Sequence, residues 1–314
     1  LTKVVALGEI IVEIVAVRPG DGFREPIELY GPYPSGAPAI FIDQLAKQGQ
    51  KCAIVGCVGN DDFGRLNIHR LAQDGVDVSA VRVHEDAVTG SAFVRYRGNG
   101  ERDFVFNIKH SASGQIEMTS EARAVVNAAG HLHVMGSSLV SPRTVEVVMS
   151  ALRDVKSRGG TVSFDPNIRK EMLSGRGLEA VLNEILEDTD IFLPSAGEMQ
   201  LFSSRLRDDA AARDILGRGV KAVVLKQGAN GTRYLDDTQD ILVPAYTVQT
   251  VDPTGAGDAF GATFIAGWLN RVPVLDNLRR ANAAGALAVS KLGPMEGTST
   301  SAELDKFLAE YSPT

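Results

Sequence analysis

Cysteine is nearly missing from this chain: Cys52 and Cys57 are the only two in 314 residues. They lie in one apolar run at a spacing that puts them on opposite faces of a strand, where they cannot pair. A disulfide framework is therefore excluded. No zinc-ligand spacing exists, and both residues read as buried thiols of a reducing, cytoplasmic compartment. A basic excess is missing too. The net charge of −7 argues against nucleic acid and anionic membrane as partners. No long apolar run goes uninterrupted. "KVVALGEIIVEIVAV", near the start, is broken by Glu9 and Glu13, and no cleavage site follows, so it reads as neither a signal peptide nor a membrane span. The dipeptide Gly-Lys is absent, which removes a P-loop. Low-complexity tracts, long linkers and internal repeats are also lacking.

What is present is a rhythm. Short apolar runs at 4–7, 52–58, 131–135, 161–164, 191–193 and 222–225 alternate with helical patterns at 39–48, 63–74, 120–129, 142–158, 178–187 and 208–218. Such alternation predicts an α/β fold, with a mostly parallel sheet between two helical layers. The last third predicts helices at 256–269, 275–291 and 302–310. Two regions break the rhythm. Residues 9–17 with 27–30 read as extended, and "TGSAFVRYRGNGERDFVFNI" reads as a hairpin turning at 97–102. The expectation is one domain over 1–314 with a small β-sheet lid formed by about 9–34 and 89–109. Arg95, Arg97 and Arg102 read as a solvated hairpin face, with Arg95 the exception. His131 and His133, on one strand face, read as side chains near the core in preference to a metal pair.

The chemistry concentrates in "VDPTGAGDAFGATF", residues 251–264. Glycines before a helix let its free N–H groups approach an anion closely. An aspartate inside that cup repels the anion, so for binding alone its place makes little sense. It makes sense if Asp258 takes a proton from a nucleophile that attacks the anion, as phosphoryl transfer requires. The plainer alternative is a helix N-cap aspartate beside turn glycines. A dinucleotide fingerprint fails, because Phe260 stands at the third glycine position and the turn lies near the C-terminus.

"VDPTGAGDAF" resembles the C-terminal signature of the PfkB/ribokinase family of small-molecule kinases, with Pro253 the one departure. The resemblance runs along the chain through "GEIIVE", "SGAPAIFIDQLAKQG", "VGCVGNDDFGRLNIHRLAQDGVD", "FDPNIRKEML" and "GPMEGTST". It implies a ribokinase-like three-layer αβα sandwich and an ATP- and Mg²⁺-dependent sugar kinase. By that resemblance Asp258 is the general base, and Gly255, Ala256 and Gly257 form the anion hole. Arg169 reaches the phosphates or the sugar. Glu198, in "PSAGEMQLF", organises Mg²⁺ through water. Lys226, Gly228 and Gly231 come near the nucleotide together with Thr254, and Asn282 and Gly285 border adenine. Asp252, Thr254, Gly293 and Thr298 are implied as holders of a monovalent cation, K⁺. Glu13, Gly36, Ala37 and Asn107 meet the sugar.

Several positions depart from the family pattern. Glu13 stands for aspartate, Ser35 for glycine, Ile40 for asparagine and Ser195 for asparagine. In the kinases of acidic sugars an arginine faces the sugar carboxylate. Aligned on Ser111-Ala112, that position falls on Ile108, with Asn107 before it and Lys109 after it. The expected acceptor is therefore a neutral ketohexose of the tagatose or fructose type. A 2-keto-3-deoxygluconate kinase, a nucleoside kinase on the same fold and a catalytically silent sugar sensor are the alternatives. A homodimer through the lid is expected, because an uncovered lid sheet exposes an apolar face.

Overall fold

The computed structural model describes residues 1–98, 101–168 and 177–311. In chain order the strands are β1 (Val4–Leu7), β2 (Ile11–Ala16), β3 (Leu29–Ser35), β4 (Cys52–Gly59), β5 (Val81–His84), β6 (Gly90–Tyr96), β7 (Arg102–Asn107), β8 (His131–Met135), β9 (Thr161–Asp165), β10 (Ile191–Phe192), β11 (Ala222–Lys226), β12 (Thr232–Leu235) and β13 (Asp240–Val243). The helices are α1 (Ala37–Lys47), α2 (Asp62–Gln73), α3 (Ser120–Asn127), α4 (Pro142–Ser157), α5 (Leu178–Glu187), α6 (Asp208–Leu216), α7 (Ala256–Leu269), α8 (Val274–Val289) and α9 (Ser301–Glu310). None of the described helices is long and apolar enough to cross a membrane.

Nine strands form the main sheet in the order β13-β12-β11-β10-β9-β8-β1-β4-β5. From β5 to β11 every pairing is parallel, as in Val4 opposite both Cys52 and His131. Alternate residues of each strand feed two separate cores. Val5, Leu7, Leu132, Val162, Phe164 and Val223 pack with α3, α4, α5 and α6. Val4, Ala6, Ile54, Ile191, Leu193 and Val224 pack with α1, α2, α7 and α8. This is the three-layer arrangement that parallel strands require, since both of their faces must be covered.

The sheet ends in an antiparallel hairpin, β12 with β13, which the sequence pattern does not announce. Each strand is four residues long, too short for a periodicity to show. β5 escapes for the same reason. The second sheet has four strands in the order β3-β2-β6-β7. β3 runs on to Ser35, past the expected end at Tyr30, although it carries Pro32 and Pro34. An edge strand tolerates proline because one of its sides has no ladder partner.

His131 and His133 lie fully inside the main sheet. Thr161 Oγ1 is 2.7 Å from His131 Nδ1, and Ser163 Oγ bridges His131 Nε2 at 2.8 Å to His133 Nδ1 at 2.7 Å. Phe41 stacks on His133 with ring centroids 3.5 Å apart. Burial pushes His131 down to about 3 and His133 well below its ordinary value, so both stay neutral. Among the described residues no three His, Cys, Asp or Glu side chains converge as a metal cage.

Cys52 belongs to the core under α1 and Cys57 to the opposite one. Burial raises their thiols to about 12 and about 11. A thiolate is the reactive species, so neither should be alkylated by iodoacetamide at neutral pH in the folded protein. Both should react fully in denaturant. Mass spectrometry of the native protein reads this directly, and a native adduct at either cysteine would show that its core face opens to solvent.

Candidate active site

The parallel strands end on one edge of the sheet, and the loops that follow them carry the polar residues. β9 ends on Asp165, β11 ends on Lys226, and Ser195 follows β10. The loops after β1 and β8 join through Glu9, which accepts hydrogen bonds from Ser137 Oγ at 2.8 Å and Ser138 Oγ at 2.9 Å. A cavity of about 770 Å³ opens on this edge, between the strand ends, the first turn of α7 and the four-stranded sheet.

Glycine shapes the mouth of α7. Gly255 is its N-cap, with φ +81, and no side chain caps the helix. A Cβ added at Gly255 would stand 2.4 Å from Pro294 O and 3.3 Å from Ile40 Cγ2, so glycine is required by space as well as by φ. The first N–H groups of the helix are thus left without a side-chain acceptor, as an anion site needs. Asp258 is not the N-cap, which removes the plainer alternative. It is the third helical residue, 8% exposed, and it lines the cavity with Gly255 and Gly257.

Lys226 points at the same spot. Its ammonium would lie 3.5 Å from a Cβ added at Gly257. It forms a buried ion pair with Asp165, a residue the sequence patterns left unassigned. Burial alone would lower the lysine, but Asp165, Glu198 and Asp258 outweigh it and raise it above its ordinary value. Glu198 accepts the Ile168 N–H at 2.9 Å and the Ser195 N–H at 2.7 Å, pinning two strand-end loops together. Burial, and then repulsion from Asp165, raise its carboxyl; burial also raises Asp165 against the pull of Lys226. Two buried carboxyls with raised affinity for a proton fit a divalent cation, with water between, because each Glu198 oxygen already takes an N–H.

The four-stranded sheet supplies the other wall. Glu13, Ser35 and Ala37 line the cavity from β2, β3 and α1. Arg97, Glu101, Arg102, Asp103, Phe104 and Phe106 line it from the β6–β7 hairpin. Arg97 and Arg102 are exposed at the rim of the cavity, as the solvated-face reading has it, and Arg95 is the buried exception. Arg97 pairs with Asp103 at 2.6 Å, Arg102 donates to Thr254 Oγ1 at 3.3 Å, and Arg95 donates to Gly22 O at 2.8 Å. Arg102 pairs opposite Tyr96 in the ladder, so it lies on the other face of the hairpin from residues 95 and 97.

Other expected residues lie outside this cavity. Asn107, Ile108 and Lys109 line a second cavity of about 720 Å³, joined to the first at Phe106. Ile108 therefore does not stand over Asp258, and acceptor charge is not read from it. Asn282 is spent on structure, accepting from Thr232 Oγ1 at 2.7 Å and donating to Pro244 O at 3.0 Å, so it ties α8 to the β12–β13 hairpin. Gly285 lets α8 close on Ala256 O, 3.5 Å from where its Cβ would be. Gly228 and Gly231 turn the chain between β11 and β12 with φ +57 and +90. Gly36, φ +110, is the N-cap of α1 beneath Glu9 O. Asp252, Thr254 and Gly293 meet, with Asp252 accepting the N–H groups of the other two at 2.9 and 3.1 Å. Thr298 does not join them. Its hydroxyl donates to Asp43 at 2.7 Å, and Lys47 and Arg70 already crowd its oxygen. Arg169 lies outside the described residues.

Three comparisons bear on this arrangement. A family model described as pfkB family carbohydrate kinase matches residues 1–301. A putative ribokinase II from E. coli, solved in complex with ATP and Mg²⁺, is 46% identical, with a TM-score of 0.93 over 99% of this chain and 100% of that one. Fructokinase from Vibrio cholerae O395, in a form bound to fructose, ADP and calcium ion, is 28% identical, with a TM-score of 0.83 over 98% and 99%. Among curated proteins, the 2-dehydro-3-deoxygluconokinase of Bacillus subtilis is 29% identical over 88% of this chain and 86% of its own.

The glycine at the mouth of α7 is open to a direct test. Gly255→Ala should cost about 1–3 kcal/mol for the left-handed backbone alone. Displacing the cup should also slow turnover by about tenfold or more. Thermal melting and a steady-state assay, run side by side, check both. Wild-type values in both would mean that the first turn of α7 is not where the anion binds.

Proposed function

The chain belongs to the pfkB family of carbohydrate kinases, and from that premise we propose that it transfers the γ-phosphoryl group of ATP to a hydroxyl of a neutral ketohexose of the tagatose or fructose type. Charge carries the choice of acceptor. Among the described residues the cavity is lined by the carboxylates of Glu13, Glu101, Asp103, Asp165 and Asp258, against only Arg97, Arg102 and Lys226. Arg97 and Lys226 are already paired with Asp103 and Asp165. Glu13 is buried, so water screens it poorly. A carboxylate on the acceptor would add to the carboxylates already lining this cavity. A neutral polyol adds no such charge, and carboxylates accept its hydroxyls.

The chemistry then follows. Asp258 takes the proton of the attacking hydroxyl as its oxygen bonds to the γ-phosphorus, and the bond to the ADP oxygen breaks. The N–H groups of the first turn of α7, with Lys226, face the charge on the transferring group, and the family resemblance assigns Arg169 the same task. Mg²⁺, when bound, neutralises phosphate oxygens, and Glu198 would hold it through water. The related E. coli structure with ATP and Mg²⁺ supports that pairing. A monovalent cation finds less purchase. Asp252 has three of its roughly four acceptor positions filled by protein donors, counting the hydroxyl of Tyr96 at 2.6 Å. Leu29, Tyr30 and Val105 leave apolar surface exposed on the edge strands of the lid sheet, in keeping with two copies meeting there.

Asp258→Asn should keep nucleotide affinity and lose about 10²–10⁴ in kcat, the usual worth of a positioned base. Calorimetry with ATP and a coupled ADP-release assay separate the two effects. Turnover near that of the wild type would take the base role from Asp258.

The acceptor is tested by competition. Measured together, kcat/KM for tagatose or fructose should exceed that for 2-keto-3-deoxygluconate by at least about tenfold, the equivalent of about 1.4 kcal/mol of repulsion, and should also exceed that for adenosine. If the acid leads, Arg169 or Lys109 reads a carboxylate; if adenosine leads, the second cavity takes a base.

A further inference from the structure

The hydroxyl of Tyr96, on β6, reaches across 156 residues of sequence to donate to Asp252 Oδ1 at 2.6 Å. Asp252 is fully buried. The same oxygen accepts the Thr254 N–H at 2.9 Å, and its other oxygen accepts the Gly293 N–H at 3.1 Å. Both of those residues set the cup. Thr254 directly precedes the Gly255 N-cap. Gly293 precedes Pro294, whose carbonyl lies against Gly255. The four-stranded sheet touches this knot twice more. Arg102 of β7 donates to Thr254 Oγ1 at 3.3 Å. The Tyr33 ring of β3 covers Gly293, where a Cβ would be 2.7 Å from Cδ1. Three strands of one sheet thus converge on the loop that feeds the anion cup.

We infer that Tyr96 is a positioning residue that couples lid closure to assembly of the anion cup, acting through Asp252. The inference rests on the reading above, in which the four-stranded sheet closes over the sugar. A short O–H···O⁻ bond is charge-assisted and strong. With the lid down, Tyr96 completes the shell of a buried carboxylate that also grips Thr254 and Gly293. With the lid away, Asp252 loses that donor and is free to turn to water, and the two N–H groups lose their fixed acceptor. Closure and cup geometry are then one event, and the cup is complete only when the sugar is covered.

Tyr96→Phe keeps the ring and removes only the hydroxyl. It should lower kcat by about 10- to 100-fold, the fold-change equivalent of one hydrogen bond to a charged group. The ATP dissociation constant should stay within about twofold and the melting temperature within a few degrees, because the ring packing is untouched. Combined with Asp252→Ala, which removes the acceptor itself, it should cost nothing further, since the Tyr96 hydroxyl then has no carboxylate to hold. Losses that multiply would overturn the inference. If Asp252→Ala does not fold, Tyr96→Phe decides alone. A kcat loss with ATP affinity and melting unchanged supports positioning. An unchanged kcat, or a loss that tracks ATP affinity or stability, overturns it. All ratios are taken against wild type on whichever sugar it phosphorylates, so a wrong acceptor leaves this test standing, and a wild type that turns over no sugar sinks the kinase reading instead.

Discussion

The first turn of α7 carries N–H groups that no side chain caps, because Gly255 holds the N-cap position in the left-handed region. Helices α2, α3, α4 and α9 begin on Asp61, Thr119, Ser141 and Thr300, each of which spends a side-chain oxygen on those donors, whereas α1, α5, α6 and α8, like α7, begin without a side-chain cap. Withholding that oxygen costs stability at α7, and the cost must be met by packing. α7 is accordingly apolar nearly all round, buried between α1 and α8. Small residues on its path allow this, as where Gly285 of α8 approaches Ala256 O. The unsatisfied terminus, the thin helix and the two-helix sandwich around it are one solution to one problem.

That solution constrains the loops around it. A helix start with no cap of its own has to be positioned from outside, and the outside contacts come from far along the chain. Pro294 O supports Gly255 from below, Ile40 packs beside it, and Asp252 holds the approach. Ile40 also lines the cavity, so its floor near the cup is apolar, while Glu13 and the charged β6–β7 hairpin put polar side chains on the opposite wall.

How much of this was legible in the sequence follows from the range of each interaction. Helix α7 spans the expected 256–269, because an apolar run bounded by Gly255 and Asn270 is a local signal. The parallel strands other than β5 were legible for a similar reason, as short apolar runs alternating with helical periods. The β12–β13 hairpin was not, since four-residue strands give periodicity no room. β3 was cut short because Pro32 and Pro34 argue against a strand unless it is known to be an edge. In the site, the glycine cup and Asp258 announce themselves within seven residues. Tyr96 and Asp165 do not. The partner of Asp165 is 61 residues away and that of Tyr96 is 156 away, so neither pair leaves a mark in any local window. The exposure of Arg97 and Arg102 and the burial of Arg95 were legible, but the contact of Arg102 with Thr254, 152 residues away, was not.

The electrostatics of the strand-end edge carry the synthesis one step further. Lys226 is a single buried cation raised by three carboxylates, Asp165, Glu198 and Asp258. Of these, Asp165 and Glu198 are held above their ordinary values by burial. Among the described residues of this cluster, Lys226 and the partial charge of one helix terminus, roughly half an elementary charge, stand against these three carboxylates. A triphosphate is better accommodated here when it brings positive charge with it, as a metal-complexed nucleotide does. The same balance acts on the acceptor. An acidic sugar would add negative charge where it is already in surplus, whereas a neutral one finds carboxylates ready to accept its hydroxyls. On the proposed reading, a metal-bound nucleotide and an uncharged acceptor both answer one local balance of charge.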